Sequence, residues 1–228
     1  VEGSKYYNSP VLYKENGFKK KEDAERLIGE LSAEPAGPAT VIGIEKKKEN
    51  KNAPLLYNLA ELQNDCSKYF KISPDETLRI VQELYEKKMT TYPRTDARVL
   101  STAVAKEIHK NIGGLRNYAL AAPFAKEVLE QGAYKNIAKT RYVNDKQITD
   151  HYAIIPTGQG LNNLAGLAPT AAKVYEVIVR RFLSIFYPPA VYQKFSLTLQ
   201  VKEESFFASF KVLIQEGYLK VTDFSFKK

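Results

Sequence analysis

The hydrophobic periodicity changes twice along the 228 residues, and this change most constrains the fold. Before about residue 52, a short helical repeat over 21–31 is followed by a Pro/Gly-rich break at 35–38 and a β-branched run over 39–45. From about residue 191 onward, apolar and polar residues alternate as they do in strands. Between these ends, apolar residues recur at helical spacing. The simplest arrangement is a β-rich domain made from both chain ends with a helical domain inserted into it.

We therefore predict an α+β chain in three parts. Residues 1–52 form the first part of the β-rich domain, 53–190 the helical domain, and 191–228 the second part of the β-rich domain. Within the last part, the alternation predicts further strands over 205–214 and 218–226, with a turn at Glu216-Gly217 between them.

The helical zone carries clear helix signals. Ser73, Pro74 and Glu76 are typical of an N-cap, a first helical position and a capping box, and they follow an apolar helical repeat over 56–70. The tight link at 71–73 fits a helix-turn-helix unit of the winged-helix kind, and it equally fits a small helical bundle. Start and stop residues bound three further predicted helices, at 101–113, 123–131 and 170–186.

Composition excludes several classes of protein. One Cys (Cys66) and two His exclude a disulfide framework and any multi-cysteine metal site. No apolar run approaches the roughly 20 residues of a membrane helix. The net charge is +8, of which +5 falls within 53–190, and a basic domain is one mark of nucleic-acid binding. The single Met is Met89 and the chain begins at Val1, so we expect a piece of a longer protein.

The segment from Met89 to Asp96 holds the best candidate for chemistry. Pro93 biases Tyr92 toward an extended backbone, in which Tyr92 and Arg94 would share a face. A cation beside a phenol favours the ionised, nucleophilic form and also neutralises a phosphate under attack. On composition alone, one Tyr among 15 is more often a packing residue than a nucleophile, so both interpretations stay open here.

Several motifs resemble those of type IA DNA topoisomerases, and bacterial topoisomerase III in particular. The matching runs within 56–100 are Leu59–Gln63, Ile80–Glu86 and Thr91–Asp96. A second block, Asp150–Thr157, is similar to the His-containing motif of the family, and a third match runs through Arg180–Phe182 to Pro188–Ala190. The sequence departs from the family at Tyr152, where His or Glu is common, and at Ala97, where Ser is frequent.

The resemblance implies a role for each matching residue. Tyr92 would attack a DNA phosphodiester and form a 5′-phosphotyrosine, which conserves the bond energy for resealing without ATP. Arg94 would stabilise charge on the scissile phosphate, and His151 would donate a hydrogen bond to it or orient the groups around it. Gln82, Thr95 and Asp96 are candidate DNA-binding residues, although Thr95 and Asp96 are better suited to shaping the loop.

The resemblance also implies parts that this chain lacks. Family members hold Mg²⁺ with an acidic cluster in a Toprim domain, whereas no Asp-x-Asp occurs here. We therefore expect no metal site in the chain, no cleavage or relaxation by the chain alone, and weak binding to single-stranded DNA. The resemblance further implies a monomer in the cytoplasm, associated with the nucleoid and not with a membrane.

Two other classes of function fit part of the sequence. A non-catalytic winged-helix DNA-binding module on a β scaffold would explain the helix pair and the charge, but not the pairing of Tyr92 with the His151 block. A third class is a purely structural interaction domain, which the absence of any DNA binding at low salt would favour. A tyrosine recombinase fits less well, because its Arg/His constellation around a late Tyr is not found.

Overall fold

The computed structural model describes residues 17–35 and 37–227, and it combines helices with one antiparallel sheet. The chain divides into two compact units. We call residues up to 51 together with 191–215 the sheet unit, and residues 52–190 together with 216–228 the helical unit.

The described residues of the sheet unit form one helix and three long strands. Helix α1 spans Lys21–Ser32, and strands β1, β2 and β3 span Thr40–Lys51, Ala190–Val201 and Glu204–Gln215. The strand order is β1-β2-β3, and β2 and β3 form a tight antiparallel hairpin. The strand predicted over 39–45 is confirmed but continues to Lys51, and its charged end pairs within the sheet through Lys211 and Glu49.

The helical unit is formed by five α-helices and several 3₁₀ segments. The α-helices are α2 (Leu59–Phe70), α3 (Pro74–Glu86), α4 (Thr102–Gly114), α5 (Ala122–Gln131) and α6 (Pro169–Ser184). The 3₁₀ segments are Leu115–Asn117, Ala133–Lys139, Asp145–Gln147, Leu161–Gly166 and Gly217–Val221. No described helix is long and apolar enough to cross a membrane.

The capping residues explain where two of these helices begin. The Ser73 Oγ accepts a hydrogen bond from the Glu76 N–H (3.1 Å), and the Ser101 Oγ accepts one from the Val104 N–H (3.1 Å). Each bond satisfies an N–H that the first helical turn leaves without a partner. The predicted starts of α3 and α4 are therefore confirmed. Lys71, at φ 57°, closes α2 in the left-handed conformation and makes the tight link to α3.

The core of the helical unit forms around α6. Apolar side chains of α6, such as Val174, Ile178 and Phe182, are fully buried, as are Leu84 of α3 and Ile108 of α4. Cys66 is also buried, as its place on an apolar helix face predicts, and burial raises the pKa of its thiol to about 12.

The last segment corrects a prediction. Residues 218–226, expected as a strand, begin with the 3₁₀ segment Gly217–Val221 and belong to the helical unit, so the β-rich part ends at Gln215 rather than at 228. Gly217 adopts φ 54°, and the next N–H, of Tyr218, donates to the Pro188 carbonyl (3.0 Å). Tyr218 and Phe224 are buried, so their alternation with polar residues reflects a packed loop and not a sheet face.

Candidate active site around Tyr92 and His151

The segment that follows α3 lies antiparallel to the block that contains His151. The Thr91 N–H donates to the Ile155 carbonyl (3.0 Å), and the Thr157 N–H donates to the Met89 carbonyl (3.0 Å). The Thr91 hydroxyl donates to the Ala153 carbonyl (2.9 Å) and accepts from the Ile155 N–H (3.0 Å). Two motifs about 60 residues apart in sequence are therefore held in a fixed register by backbone bonds.

Thr95 fixes the other end of this register. Its hydroxyl donates to the His151 carbonyl (2.9 Å) and accepts from the Ala97 N–H (3.1 Å), and the residue is only 6% exposed. Thr95 was predicted as a candidate DNA-binding residue, but its hydroxyl is occupied and buried. It shapes the loop by holding the backbone of His151.

The aromatic rings of Tyr92 and His151 lie against each other. Their centroids are 4.2 Å apart at an interplanar angle of 37°, and Tyr92 also meets the edge of Tyr85 at 5.4 Å. Tyr92 is half-buried, whereas His151 is exposed. The structure thus brings the candidate nucleophile, Tyr92, and the candidate hydrogen-bond donor to the phosphate, His151, together at an accessible surface.

Arg94 lies within a turn rather than along an extended strand. The Thr95 N–H donates to the Pro93 carbonyl (3.0 Å), which is a three-residue turn centred on Arg94. The alternation expected to place Tyr92 and Arg94 on one face therefore does not apply. The Arg94 side chain is exposed, and no hydrogen bond or ion pair joins it to any other described residue.

Gln82 and Asp96 are the remaining predicted residues, and their hydrogen bonds join them to partners other than Tyr92. Gln82 is half-buried on α3, and its side-chain amide donates to the Glu86 carboxylate (3.2 Å). The Asp96 side chain is exposed, and its backbone carbonyl accepts from the Asn58 side chain (3.1 Å).

A buried polar cluster supports the His151 block from behind. The Tyr57 carbonyl accepts from the Ile154 N–H (2.8 Å), and the Tyr57 hydroxyl donates to the Asp65 carboxylate (2.5 Å). Arg181 donates to the same carboxylate (3.0 Å), and its guanidinium lies 4.0 Å from the centre of the Tyr57 ring. Burial, together with the Asp65 carboxylate, raises the pKa of Tyr57 well above its usual value, so the phenol stays a donor. Arg181 is therefore a structural residue.

A cavity of about 620 Å³ opens beside Tyr92. Four rings line it, those of Tyr85, Tyr92, His151 and Tyr152, together with polar side chains that include Thr90. Tyr85 is 39% exposed, although the adjacent Leu84 is buried. Gln82, Tyr85 and Glu86 recur at i, i+3 and i+4 outside the buried stripe of α3, and this spacing is the signal that would have marked the face.

The described residues do not offer a magnesium site. Nowhere in 17–35 or 37–227 do three His, Cys, Asp or Glu side chains group as metal ligands would. Glu86 is the acidic residue among those that line the cavity, and its carboxylate accepts from Gln82. The donor set that Mg²⁺ prefers, several carboxylate or carbonyl oxygens around one point, is therefore not found in this part of the chain.

Comparisons with known proteins agree with this geometry. The sequence profile of the family described as DNA topoisomerase matches residues 3–228. The chain is 34% identical to DNA topoisomerase 3 of Bacillus cereus over 215 residues, which are 93% of this chain and 28% of the relative. It is 35% identical to DNA topoisomerase 3 of Bacillus subtilis over 199 residues, which are 87% of this chain and 26% of the relative.

The fold is also found in a solved structure. Full-length topoisomerase I of Thermotoga maritima superposes with a TM-score of 0.62 at 21% identity, covering 96% of this chain and 35% of that one. The chain thus spans about a quarter to a third of the length of the proteins it matches. With the profile matching almost every residue, the chain belongs to the type IA DNA topoisomerases and is similar to their topoisomerase III branch.

Proposed function

We propose that this chain supplies the nucleophile of a type IA DNA topoisomerase, and that the nucleophile is Tyr92. The contact of the Tyr92 ring with the His151 ring at 4.2 Å, on an accessible surface, is the observation that carries the proposal. The two residues come from separate motifs, and a purely structural tyrosine would not require an exposed histidine beside it.

The reaction is a reversible transesterification. The Tyr92 phenol loses its proton and attacks the phosphorus of a DNA phosphodiester, and the bond to the 3′ oxygen breaks. The products are a phosphotyrosine at the 5′ end and a free 3′ hydroxyl. Since one ester replaces another, the hydroxyl can reverse the attack after another strand has passed, with no need for ATP.

Arg94 and His151 act on the phosphate. The Arg94 guanidinium has no protein partner within the described residues, so its donors remain open to phosphate oxygens, which it can bind in a bidentate fashion. The backbone of His151 is held by Thr95, which leaves its imidazole exposed to donate to the same phosphate. Arg94 would reach Tyr92 only around the turn at Pro93–Thr95, so we infer that bound DNA brings the two together.

The proposal divides the remaining roles between a domain outside this chain and elements within it. Mg²⁺ would be held by the acidic residues of a Toprim domain, the sheet unit would serve as a hinge, and α2 with α3 would act as a helix-turn-helix element. The chain by itself would be an inactive monomer of the cytoplasmic nucleoid that binds single-stranded DNA weakly.

The nucleophile is tested by trapping the adduct. In a full-length enzyme that carries this chain, Tyr92→Phe should abolish the covalent protein–DNA adduct seen on denaturing gels, while DNA still binds. Tyr134→Phe, which changes a half-buried tyrosine elsewhere in the helical unit, is the matched control and should form the adduct normally. An adduct that survives in Tyr92→Phe would show that another residue attacks, and no adduct in the wild type would favour a non-catalytic winged-helix module.

The behaviour of the chain alone is tested with salt. Binding to a labelled single-stranded oligonucleotide should weaken steeply as salt rises, because neutralised phosphates release counterions. Magnesium-dependent relaxation of supercoiled DNA by the chain alone would contradict the proposal that other domains are needed.

A further inference from the structure

We infer that the cavity beside Tyr92 is a binding site for a nucleobase, with Tyr85 and Tyr152 as its stacking walls. This inference rests on the proposed function, because it assumes that single-stranded DNA is the substrate. It assigns a role to Tyr152, a position at which this chain departs from its family.

The size and lining of the cavity fit a flat aromatic ring. Its volume of about 620 Å³ falls within the range of small-ligand sites. Tyr85 and Tyr152 line it together with the Tyr92 and His151 rings, so several of its lining side chains carry aromatic rings. Every base presents a π-face, and stacking on aromatic side chains is how proteins bind single strands without reading their sequence.

The charges that line the cavity favour a base over a phosphate. Of the described residues, Glu86 and Lys88 are the carboxylate and the ammonium at its wall, and their charges cancel. A phosphate subsite needs an excess of cations, which Arg94 offers outside the cavity. The phosphate would therefore lie toward Arg94 and His151, and the adjoining base would enter the cavity.

The state of the side chains supports a site that receives a ligand. Tyr85 is 39% exposed although it is a large aromatic residue, and Tyr152 is half-buried. Thr90 is 2% exposed, and its buried hydroxyl has no hydrogen-bond partner among the described residues. Gln159 lies at the wall with an exposed side chain, whose amide can donate to and accept from the edge of a base.

The first test locates the base directly. A single-stranded oligonucleotide with one 5-iodouracil is bound to the wild-type chain at low salt and irradiated, and the cross-linked peptide is identified by mass spectrometry. We expect cross-links at Tyr85 or Tyr152 for one position of the substituted base. Cross-links found only outside the cavity, or no binding at low salt, would overturn the inference.

The second test separates stacking from folding. Tyr85→Ala changes an exposed residue and Tyr152→Ala a half-buried one, and each should weaken single-strand binding about tenfold. Tyr152→Phe keeps the ring and should bind like the wild type, as should the control Tyr134→Ala, which lies away from the cavity. A 2-aminopurine base at the cross-linked position should be quenched by the wild type and by Tyr152→Phe, but less by the two cavity variants.

The outcomes are distinct from those of the adduct test. If Tyr85→Ala and Tyr152→Ala both bind and quench like the wild type, the base site is overturned and a protein side chain is favoured as the occupant of the cavity. The proposal that Tyr92 is the nucleophile is not affected by this result. If Tyr152→Phe lost as much single-strand binding as Tyr152→Ala, stacking on the Tyr152 ring would also be overturned. Conversely, an adduct that persists in Tyr92→Phe would refute the proposed nucleophile whatever the base site does.

Discussion

At the scale of single residues, the site depends on two threonines as much as on Tyr92. Thr91 and Thr95 use their hydroxyls as both donor and acceptor within the paired segments. A backbone bond from the Thr95 N–H to the Pro93 carbonyl closes the turn at 93–95, and the Thr95 hydroxyl attaches this turn to the His151 carbonyl. The two threonines therefore help to fix the position of the His151 ring relative to Tyr92.

Thr95→Ala should lower the free energy of unfolding by about 1–3 kcal/mol, because the Ala97 N–H and the His151 carbonyl lose a buried partner. Urea denaturation followed by circular dichroism measures the change. Thr95→Ser keeps the hydroxyl and should retain most of the stability. If Thr95→Ala were as stable as the wild type, water would have to replace the hydroxyl, and the loop would not depend on it.

Sequence patterns predicted which motifs belong together, but not how their residues are arranged in space. The helix starts at Ser73 and Ser101 were predictable, because an N-cap side chain bonds to a backbone N–H only three residues later. Such a local interaction can be recognised from the sequence alone. The position of Arg94 was not predictable, because the extended preference before proline applies to Tyr92, whereas Arg94 follows the proline and lies in a turn closed by the Thr95 N–H and the Pro93 carbonyl. Tyr152 and Thr90 were missed as cavity residues, because only the register between distant segments brings them beside Tyr92.

At the scale of elements, α3 presents the cavity wall and depends on its cap. Ser73→Ala should lower the free energy of unfolding by about 1 kcal/mol, because the Glu76 N–H loses its acceptor. Ser73→Asp supplies another acceptor and should be close to the wild type in the same urea titration. A loss as large in Ser73→Asp would mean that the cap hydrogen bond is not what stabilises α3.

The 3₁₀ segment Gly217–Val221 is tied to α5 by a pH-dependent contact. Glu127 pairs with Lys220 (2.8 Å) and accepts from the Tyr187 hydroxyl (2.7 Å), and these bonds, that of Lys220 first, lower the pKa of Glu127 below its usual 4.5. The stabilisation is complete above the unfolded-state pKa and is lost as the pH falls through the lower folded-state pKa.

Glu127→Gln should therefore flatten the acid side of the stability profile. The wild type should lose more free energy of unfolding than the variant between about pH 6 and about pH 3, because only the wild type must protonate this carboxylate. Glu130→Gln, at an exposed glutamate of the same helix, is the control and should keep the wild-type slope. An unchanged slope in Glu127→Gln would assign the pH dependence to other groups.

At the scale of the whole molecule, the last residues of the chain complete the helical unit. Glu176 and Arg180 form a buried ion pair at 2.7 Å, and both also bind the final segment. Glu176 accepts from the Ser225 N–H (2.8 Å), and Arg180 donates to the Val221 carbonyl (2.9 Å). Buried charges of this kind are tolerated only when their hydrogen bonds are complete.

Removing residues 216–228 should destabilise the helical unit by on the order of 5 kcal/mol, since buried charges lose partners and the apolar side chains of the segment are lost. Thermal unfolding followed by circular dichroism measures the shift, with a chain that ends at Lys227 as the control. A truncated chain that unfolds at the wild-type temperature would show that this segment does not stabilise the helical unit. That outcome would favour the predicted assignment of the segment to the β-rich domain.

The paired segments around Tyr92 also have a consequence for the order of folding. Their hydrogen bonds join residues 56 to 64 positions apart, so closing them costs more chain entropy than forming any of the helices between them. The helices can form early, whereas Tyr92 meets His151 only when the intervening chain has folded. The amide protons of Thr91 and Ile155 should therefore exchange with solvent only on global unfolding, which makes them reporters of an assembled site.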